Sequence, residues 1–384
     1  MSLSRRKLLA LAGGGVIVAA TAAGTGFALT RTPSRALAPW EMAGTYTEKR
    51  RRALSWAILA PNPHNQQPWI VDLPGEDDIA VSLDTSRLLP ATDPLNRQIT
   101  IGLGCFLELM VQAAAQDGHS CEIVLFPQGE AAALAGAAPV FTARMGPGGT
   151  PDPLFAHALQ RRSTKEPFDM SRPVTAAEVS GLTEALSAGA LSGVRADGTA
   201  DPAQVASLRA LGWEAFQIEM NTPSTYLESV DVMRLGKAEI NANPDGIDLG
   251  GPFLESLMLA GLLTHENLRD IGGQSWQSGV DMYAPIFENT PAFIWLATPG
   301  NSRPDQIAAG RDWLRLNLAT TAAGMALHPV SQALQEYPEM AAPYAQAHAL
   351  LAQPGETVQM LGRLGYAEPV SKTPRWPIEA KLRG

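Results

Sequence analysis

Arg161-Arg162-Ser163-Thr164-Lys165-Glu166-Pro167-Phe168 places two arginines, a serine and a lysine within five positions. Such a set binds anions. Arginine offers a planar fork of donors to phosphate, serine adds a hydroxyl, and lysine adds a point charge. A solvated basic patch has the same composition and is the plain alternative. Far upstream, Ala60-Pro61-Asn62-Pro63-His64-Asn65-Gln66-Gln67-Pro68-Trp69 frames polar side chains with three prolines. A rigid polar turn of this kind can touch a flat ring edge-on. It can also be a turn punctuated by prolines and nothing more. A third stretch closes the chain: Leu364-Gly365-Tyr366, then Lys372-Thr373-Pro374-Arg375-Trp376-Pro377. Pro374 and Pro377 restrict where the Arg375 cation points, against the alternative of an ordinary basic tail.

Periodicity indicates the elements that must hold these stretches. Residues 49–59 read as a helix stopped by Pro61, and 69–73 as a strand, so the polar turn joins the two. Residues 79–83 alternate around Ile79, Val81 and Leu83 and pair with that strand across a loop opening with Pro74-Gly75. Leu103, Phe106, Leu107, Met110, Val111 and Ala114 recur at helical spacing, with Gly118 to end the helix. Gly102 and Gly104 lie inside that pattern and serve packing; no dinucleotide-binding glycine fingerprint follows a strand. Strands are predicted at 121–126 and 140–144. Thr175 and Glu178 form a capping box before a further helix. Residues 291–298 read as a strand covered on both faces, and 310–324 as a second strong helix. A shift of 208 lays Gly102 on Gly310, Phe106 on Leu314 and Met110 on Leu318, a faint repeat that supports two related halves.

Composition narrows the classes. The chain has 384 residues, 45% of them hydrophobic, enough for two lobes or one large fold. Net charge is -9, and the first 38 residues hold five basic and no acidic residues, so the body is more acidic still. That argues against nucleic acid and anionic membrane surfaces as partners. Cys105 falls in an apolar helical run; a bridge to Cys121 requires an oxidising compartment. The six histidines show no i, i+4 pair, so no metal is expected. No nucleophile–base–acid set for hydrolysis stands out.

Ser4-Arg5-Arg6-Lys7-Leu8-Leu9 precedes an apolar, glycine- and alanine-rich stretch at 10–29, the form of a twin-arginine export signal. A membrane anchor is the alternative. Ala36-Leu37-Ala38 has the small-x-small form of a cleavage site, but Pro39 directly after it is unfavourable, so an uncleaved tether stays open. The twin-arginine route carries proteins already folded, often with a cofactor inside.

Taken together and in this order, the three polar stretches resemble the flavin-binding nitroreductase superfamily. The likeness runs from about residue 46 to 383, and its specific parts are 60–69 and 161–168. In that family an Arg-x-Ser-x-Lys/Arg phosphate segment comes first and a Pro-Ser-x-x-Asn-x-Gln-Pro-Trp turn later; here the order is permuted, as two fused copies would leave it. The chain therefore resembles the fused-dimer, Acg-like branch. The resemblance implies an α+β nitroreductase-like fold, two related halves fused into a pseudo-dimer, with central antiparallel or mixed sheets flanked by helices. The expected divisions are a signal segment at 1–38 and halves at 45–155 and 156–384.

The resemblance also implies one flavin mononucleotide (FMN) per chain. Arg161 and Ser163, with neighbouring Arg162, would hold its phosphate, joined by Arg375 and Lys372. Lys165 would stand at the pyrimidine edge of the flavin, where a cation stabilises the reduced ring. Asn62, Pro63, His64 and Asn65 would approach the ring from the first half, and Ser331 and Gln332 would lie near its hydride-accepting nitrogen. Asn62 stands where the family has serine, which puts that hydroxyl contact in doubt. The reciprocal site should be dead, since 189–198 shows no such turn. Residues 226–252 have no counterpart in simple dimers and read either as a lid or, preferentially, as a surface insertion. The implied activity is an exported oxidoreductase that passes electrons from FMN to a small nitroaromatic or quinone-like acceptor. A flavin-storing protein without catalysis is one alternative, and a scaffold without cofactor a third. The twin-arginine translocase is the expected partner during export, the periplasm the expected compartment, and a monomer the expected state.

Overall fold

The computed structural model describes residues 30–188 and 193–383. The export signal expected at the N-terminus therefore lies outside the described residues up to position 29, as do 189–192 of the stretch expected to lack a second turn.

The first half begins with α1 (Lys49–Ala57), capped by the Glu48 carboxylate, which accepts from the backbone N–H groups of Arg50 and Arg51 at 3.1 and 2.9 Å. It ends two residues before the expected 59, and the 60–69 turn follows. Strands β1 (Trp69–Asp72) and β2 (Asp78–Leu83) pair antiparallel as expected. The long α2 (Arg97–Gln116) starts six residues before Leu103, because Asp93 accepts from the N–H groups of Gln98 and Ile99 at 3.1 and 2.8 Å. Gly118, at φ +77°, closes it. It is apolar and long enough to cross a bilayer, yet it lies buried as a core helix. Strands β3 (His119–Leu125) and β4 (Pro139–Pro147) complete a sheet of order β1-β2-β4-β3.

The second half repeats this plan. Helix α3 (Ala176–Ala188) starts at the expected Thr175–Glu178 box and leads to β5 (Arg195–Thr199). A long insertion follows: α4 (Pro202–Asn221), α5 (Pro223–Asp231), β6 (Met233–Leu235), α6 (Gly236–Ala242), β7 (Ile247–Leu249), α7 (Pro252–Leu259) and α8 (Gln274–Glu288). Then come β8 (Ala292–Thr298), α9 (Arg303–Ala322), β9 (Ala326–Pro329), α10 (Ala341–Leu351) and β10 (Thr357–Gly365). The sheet order is β5-β8-β10-β9. Both sheets thus run strand, strand, long helix, strand, strand, with the last two exchanged in space, and every neighbouring pair in them is antiparallel. Strand β8 is buried along its whole length, as expected for a strand covered on both faces.

The halves meet where α2 crosses α9 with backbones touching. A Cβ on Gly104 would stand 2.3 Å from Ile307 O and 2.9 Å from Gly310 Cα; a Cβ on Gly310 would stand 2.0 Å from Ile101 O and 2.9 Å from Gly104 Cα. These contacts are reciprocal, so they equate Gly104 with Gly310 and Ile101 with Ile307. The repeat is real in three dimensions, but its register is 206, not the 208 expected from apolar matching. Gly102 serves another contact. A Cβ there would meet Asn62 Cβ at 3.1 Å and Pro63 Cδ at 3.2 Å, so the polar turn rests on it. Buried Glu108 on α2 adds a charge lock, accepting from Arg311 at 2.7 Å and Arg315 at 3.1 Å on α9. Cys105 and Cys121 are both free thiols.

The second half sends its tail to the first: Val71 of β1 exchanges 2.8 Å backbone bonds with Lys381 and Arg383 near the chain end. Within the second half, Thr164 N–H donates to Leu327 O of β9 at 2.9 Å.

Candidate functional site

The polar turn is held in an unusual backbone conformation. His64, Asn65 and Gln67 have φ of 45°, 53° and 52°, left-handed values that non-glycine residues seldom adopt. Hydrogen bonds over-determine them. Asn62 Oδ1 accepts from Gln67 N–H at 2.7 Å; Gln67, fully buried, donates through Nε2 to Pro244 O at 2.8 Å and accepts at Oε1 from Trp376 N–H at 2.9 Å. Strain that persists under such restraint is typical of a working site.

Two arginines from distant segments reach this turn. Arg161 donates through Nη2 to Leu59 O at 3.2 Å. Arg375 donates through Nη2 to the same oxygen and to Ala60 O, both at 3.2 Å, and through Nη1 to Asn65 Oδ1 at 2.6 Å and Thr373 Oγ1 at 2.6 Å. Each is 3% exposed, and every acceptor they reach is a neutral amide or hydroxyl oxygen. Arg161 Nη1 and Arg375 Nε are buried with no hydrogen-bond partner. Burial pushes the Arg161 guanidinium down to about 10, and burial together with the Arg161 and Arg162 charges pushes Arg375 down to about 9. A pair of buried cations with free donors and no hydrogen-bonded anion, reached only by the charge of Asp248 at Arg375, is costly for a fold unless an anion is meant to join them.

Trp40 forms one wall. Its indole lies 5.0 Å from the Arg162 guanidinium, 5.7 Å from that of Arg375 and 5.8 Å from the Lys372 ammonium. Arg162 spends its donors on carbonyls of Val370, Leu159 and Arg161, at 3.1, 2.8 and 2.7 Å. Ser163 follows Arg161 and Arg162 directly. The expected anion residues Arg161, Arg162, Lys372 and Arg375 are therefore brought together.

The opposite end centres on Lys165. Its side chain is exposed, and its positive charge acts on His64 of the turn, Glu219 of α4, Asp248 of β7 and His328 of β9. All four lie within reach of that one charge. Burial and Lys165 push His64 down to about 4, and its Nδ1 is buried and unpartnered. Burial, then Arg363 and Lys165, hold His328 well below the usual imidazole range. Gln332 Oε1 is likewise buried without a partner. Ser331 turns its hydroxyl to the β10 backbone, 3.4 Å from Leu361 O.

The 226–252 segment is bound to the site, against the preferred expectation of a surface insertion. Gly246 N–H donates to Asn65 O at 3.1 Å. Asp245, 3% exposed, accepts from Arg87 Nη1 of the first half at 2.7 Å, from Arg234 Nη2 at 2.7 Å and from Trp376 Nε1 of the tail at 2.7 Å. One carboxylate thus fastens three parts of the chain beside the turn. The Ala36–Ala38 region is also built in: Ala36 is buried, its N–H donates to Asn241 Oδ1 at 3.0 Å, and its C=O accepts from Arg375 N–H at 2.9 Å.

Sequence reasoning missed Trp40, Gln67, Arg363, Glu219 and Asp245. Arg363 left one signal, an arginine inside an apolar strand. It is fully buried, donates to His328 Nδ1 at 3.1 and 2.9 Å and to Glu166 O at 3.1 Å, and so ties the Lys165 segment to β9 and β10. Among the described residues no three His, Cys, Asp or Glu side chains gather to hold a metal ion.

No protein-family model matches the chain. Over 81 residues it is 33% identical to a putative NAD(P)H nitroreductase, acg, of Mycobacterium tuberculosis; the match spans 21% of this chain and 24% of that protein, about a quarter of its length. Among solved structures, the FMN-dependent nitroreductase NfnB from Mycobacterium smegmatis, in complex with NADPH, overlays at TM-score 0.38 with 18% identity, over 60% of this chain and 97% of that one. A nitroreductase with bound FMN from Bacteroides fragilis overlays at TM-score 0.33 with 13% identity, over 57% and 91%.

Proposed function

We propose that this chain binds one FMN and acts as an FMN-dependent oxidoreductase of nitroreductase type, reducing a small electron-poor acceptor such as a nitroaromatic or quinone. One observation carries the reading: Arg161 and Arg375, both buried, converge beside a strained polar turn with unpartnered donors and no carboxylate bound to either. A phosphate monoester answers that arrangement, since it supplies two charges and several acceptor oxygens at once. Arg161, Ser163, Lys372 and Arg375 would hold the phosphate, with Arg162 braced behind them. Lys165, Asn62, Pro63, His64, Asn65, Ser331 and Gln332 would surround the ring. Bound FMN would supply two-electron transfer; the chain's own residues bind it, orient it and exclude water. His64, held neutral, offers an acceptor or donor at the ring without adding a second positive charge beside Lys165. We further infer export by the twin-arginine route to the periplasm, as a fused-dimer relative of acg.

One observation favours a second reading, a protein that stores flavin. The Asp245 clasp draws the insertion onto the turn, and a fixed cover over the ring would keep acceptors out.

The test is the visible spectrum of the purified full chain, with dithionite and then with menadione or nitrobenzene. A yellow protein that bleaches and is reoxidised by the acceptor supports the enzyme. A yellow protein whose reduced flavin ignores the acceptor supports storage. A colourless protein that takes up no added FMN overturns both.

A further inference from the structure

Within reach of the Lys165 charge lies a second set of buried polar atoms with nothing to bond. Glu219 Oε2, Gln335 Oε1, Tyr337 OH and Ser229 Oγ each lack a partner. Gln335, Tyr337 and Ser229 are 7%, 5% and 9% exposed. They belong together. Glu219, in the last turn of α4, faces the Gln335 amide and the Tyr337 ring, and feels the charges of Lys165 and Glu228. Tyr337 OH lies beside Thr225 Oγ1, but that hydroxyl already donates to Glu219 O at 2.7 Å, and Tyr337 makes no well-directed bond of its own. Ser229 stands one helical turn beyond Thr225 on the same face of α5. The remaining acid of that helix, Glu228, is committed elsewhere: it accepts from Ala91 N–H at 2.7 Å and Thr92 N–H at 2.9 Å. Native interiors rarely leave several polar atoms unpaired in one place.

We propose that Glu219 and Tyr337, with the Gln335 amide bonded to Glu219, form a polar subsite near Lys165 that takes the oxygen of an uncharged oxo compound, a quinone carbonyl or nitro group. The inference rests on the FMN reading of the site. An anionic ligand is disfavoured, because the Glu219 carboxyl stands in the subsite and the Glu228 charge reaches it. Burial pushes Glu219 up to about 7, against the opposing pull of Gln335 and Lys165. The carboxyl is therefore a hydrogen-bond donor below neutral pH and an acceptor above it. The oxo oxygen needs a donor, so binding is tighter on the acid side. Groups facing Glu219 are Lys165, Glu228 on α5, and Tyr337, whose hydroxyl burial pushes further up from its usual value. Glu339 lies beyond Tyr337.

The experiment is menadione binding to the oxidised FMN-loaded protein, read from the perturbed flavin absorbance, between pH 6 and pH 8. The wild-type affinity is expected to fall about tenfold across that range, the change in protonated fraction of one acid centred near 7. Glu219→Gln, whose amide donates at every pH, should hold the acid-side affinity and lose the slope. Tyr337→Phe should bind menadione roughly three- to tenfold more weakly at both pH values, with FMN affinity unchanged. If FMN binds but Glu219→Gln keeps the wild-type slope and Tyr337→Phe binds as tightly as wild type, the subsite is overturned while the FMN reading stands. If the wild-type chain takes up no FMN, both fall.

Discussion

Arg161 and Arg375 donate to one and the same oxygen, the carbonyl of Leu59, each at 3.2 Å. Two guanidinium groups share a single neutral acceptor; burial lowers the basicity of both, and the Arg161 charge lowers Arg375 further. The pair is therefore a liability to the fold by itself and an asset once an anion joins it. Arg161→Met should leave the melting temperature of the FMN-free protein unchanged or raised, while the double variant Arg161→Ala with Ser163→Ala loses roughly 2–5 kcal/mol of FMN affinity by fluorescence titration. Unchanged affinity removes the phosphate assignment; a large fall in apo stability makes the arginine structural.

The crossing of α2 and α9 tolerates no side chain at its closest point. A methyl group on Gly104 has Ile307 O at 2.3 Å, and both neighbours are backbone that cannot rotate away. Gly104→Ala should cost roughly 1–3 kcal/mol or more in denaturant unfolding, from overpacking. Gly118→Ala is the control: nothing stands within 4 Å of its Cβ, so only the left-handed backbone, at φ +77°, is penalised, about 1 kcal/mol. Equal costs at the two sites would mean that the helices separate freely.

Asp245 is the point where the insertion, the first half and the tail can be released together. Burial pushes its carboxyl up, but the bonds from Arg87 and Trp376 and the charge of Arg234 outweigh that and hold it below the usual range. Asp245→Ala leaves two arginines and an indole N–H without their shared acceptor and should destabilise by about 3–5 kcal/mol. Hydrogen exchange should quicken at 233–250 and 62–67 before it quickens in the sheets. Uniform quickening would show that the clasp is not a local device.

Acid should weaken the protein through two buried histidines, partly offset by Glu219, whose folded carboxyl is pushed up to about 7 and so gains stability as pH falls. His64 and His328 are held neutral when folded, while the unfolded chain takes up protons below about 6.5 at each. The unfolded state binds more protons there, so their contribution is complete above about pH 6.5 and is lost as pH falls toward 4. Arg363 explains the stronger case: it donates to His328 Nδ1, which must carry a lone pair. Stability should drop by up to about 1.4 kcal/mol per pH unit for each histidine, and His328→Gln should make the decline shallower in pH-resolved unfolding. An unaltered slope would exclude the imidazole.

Much of the fold was legible in the sequence because it is local. Helix α2, strands β1 to β4 and the Thr175–Glu178 box each follow from spacing within a dozen residues. The gathering of Arg161, Lys372 and Arg375 at residues 60–65 was legible only through family resemblance, since nothing local joins positions so far apart. Trp40 and Glu219 gave no signal, because a tryptophan beside a signal segment and a glutamate in a helix look like any others. The register of the repeat was misread for a physical reason: apolar residues recur on every helix, so they match at several shifts, whereas a backbone crossing singles out one glycine on each side. The preference for a surface insertion failed for a related reason. Pro244-Asp245-Gly246 is a turn, as its composition says, but composition is silent about what a turn leans on.

The Gly104–Gly310 crossing would look familiar between two separate, identical subunits, and here a single covalent strand spans it. Dilution cannot pull such a pair apart. A change in one partner is also no longer copied into the other, so each can drift on its own. That freedom is visible in the molecule: only one of the two matching sheets carries nearly ninety extra residues between its first and second strands, a burden that a symmetric assembly would have had to carry twice.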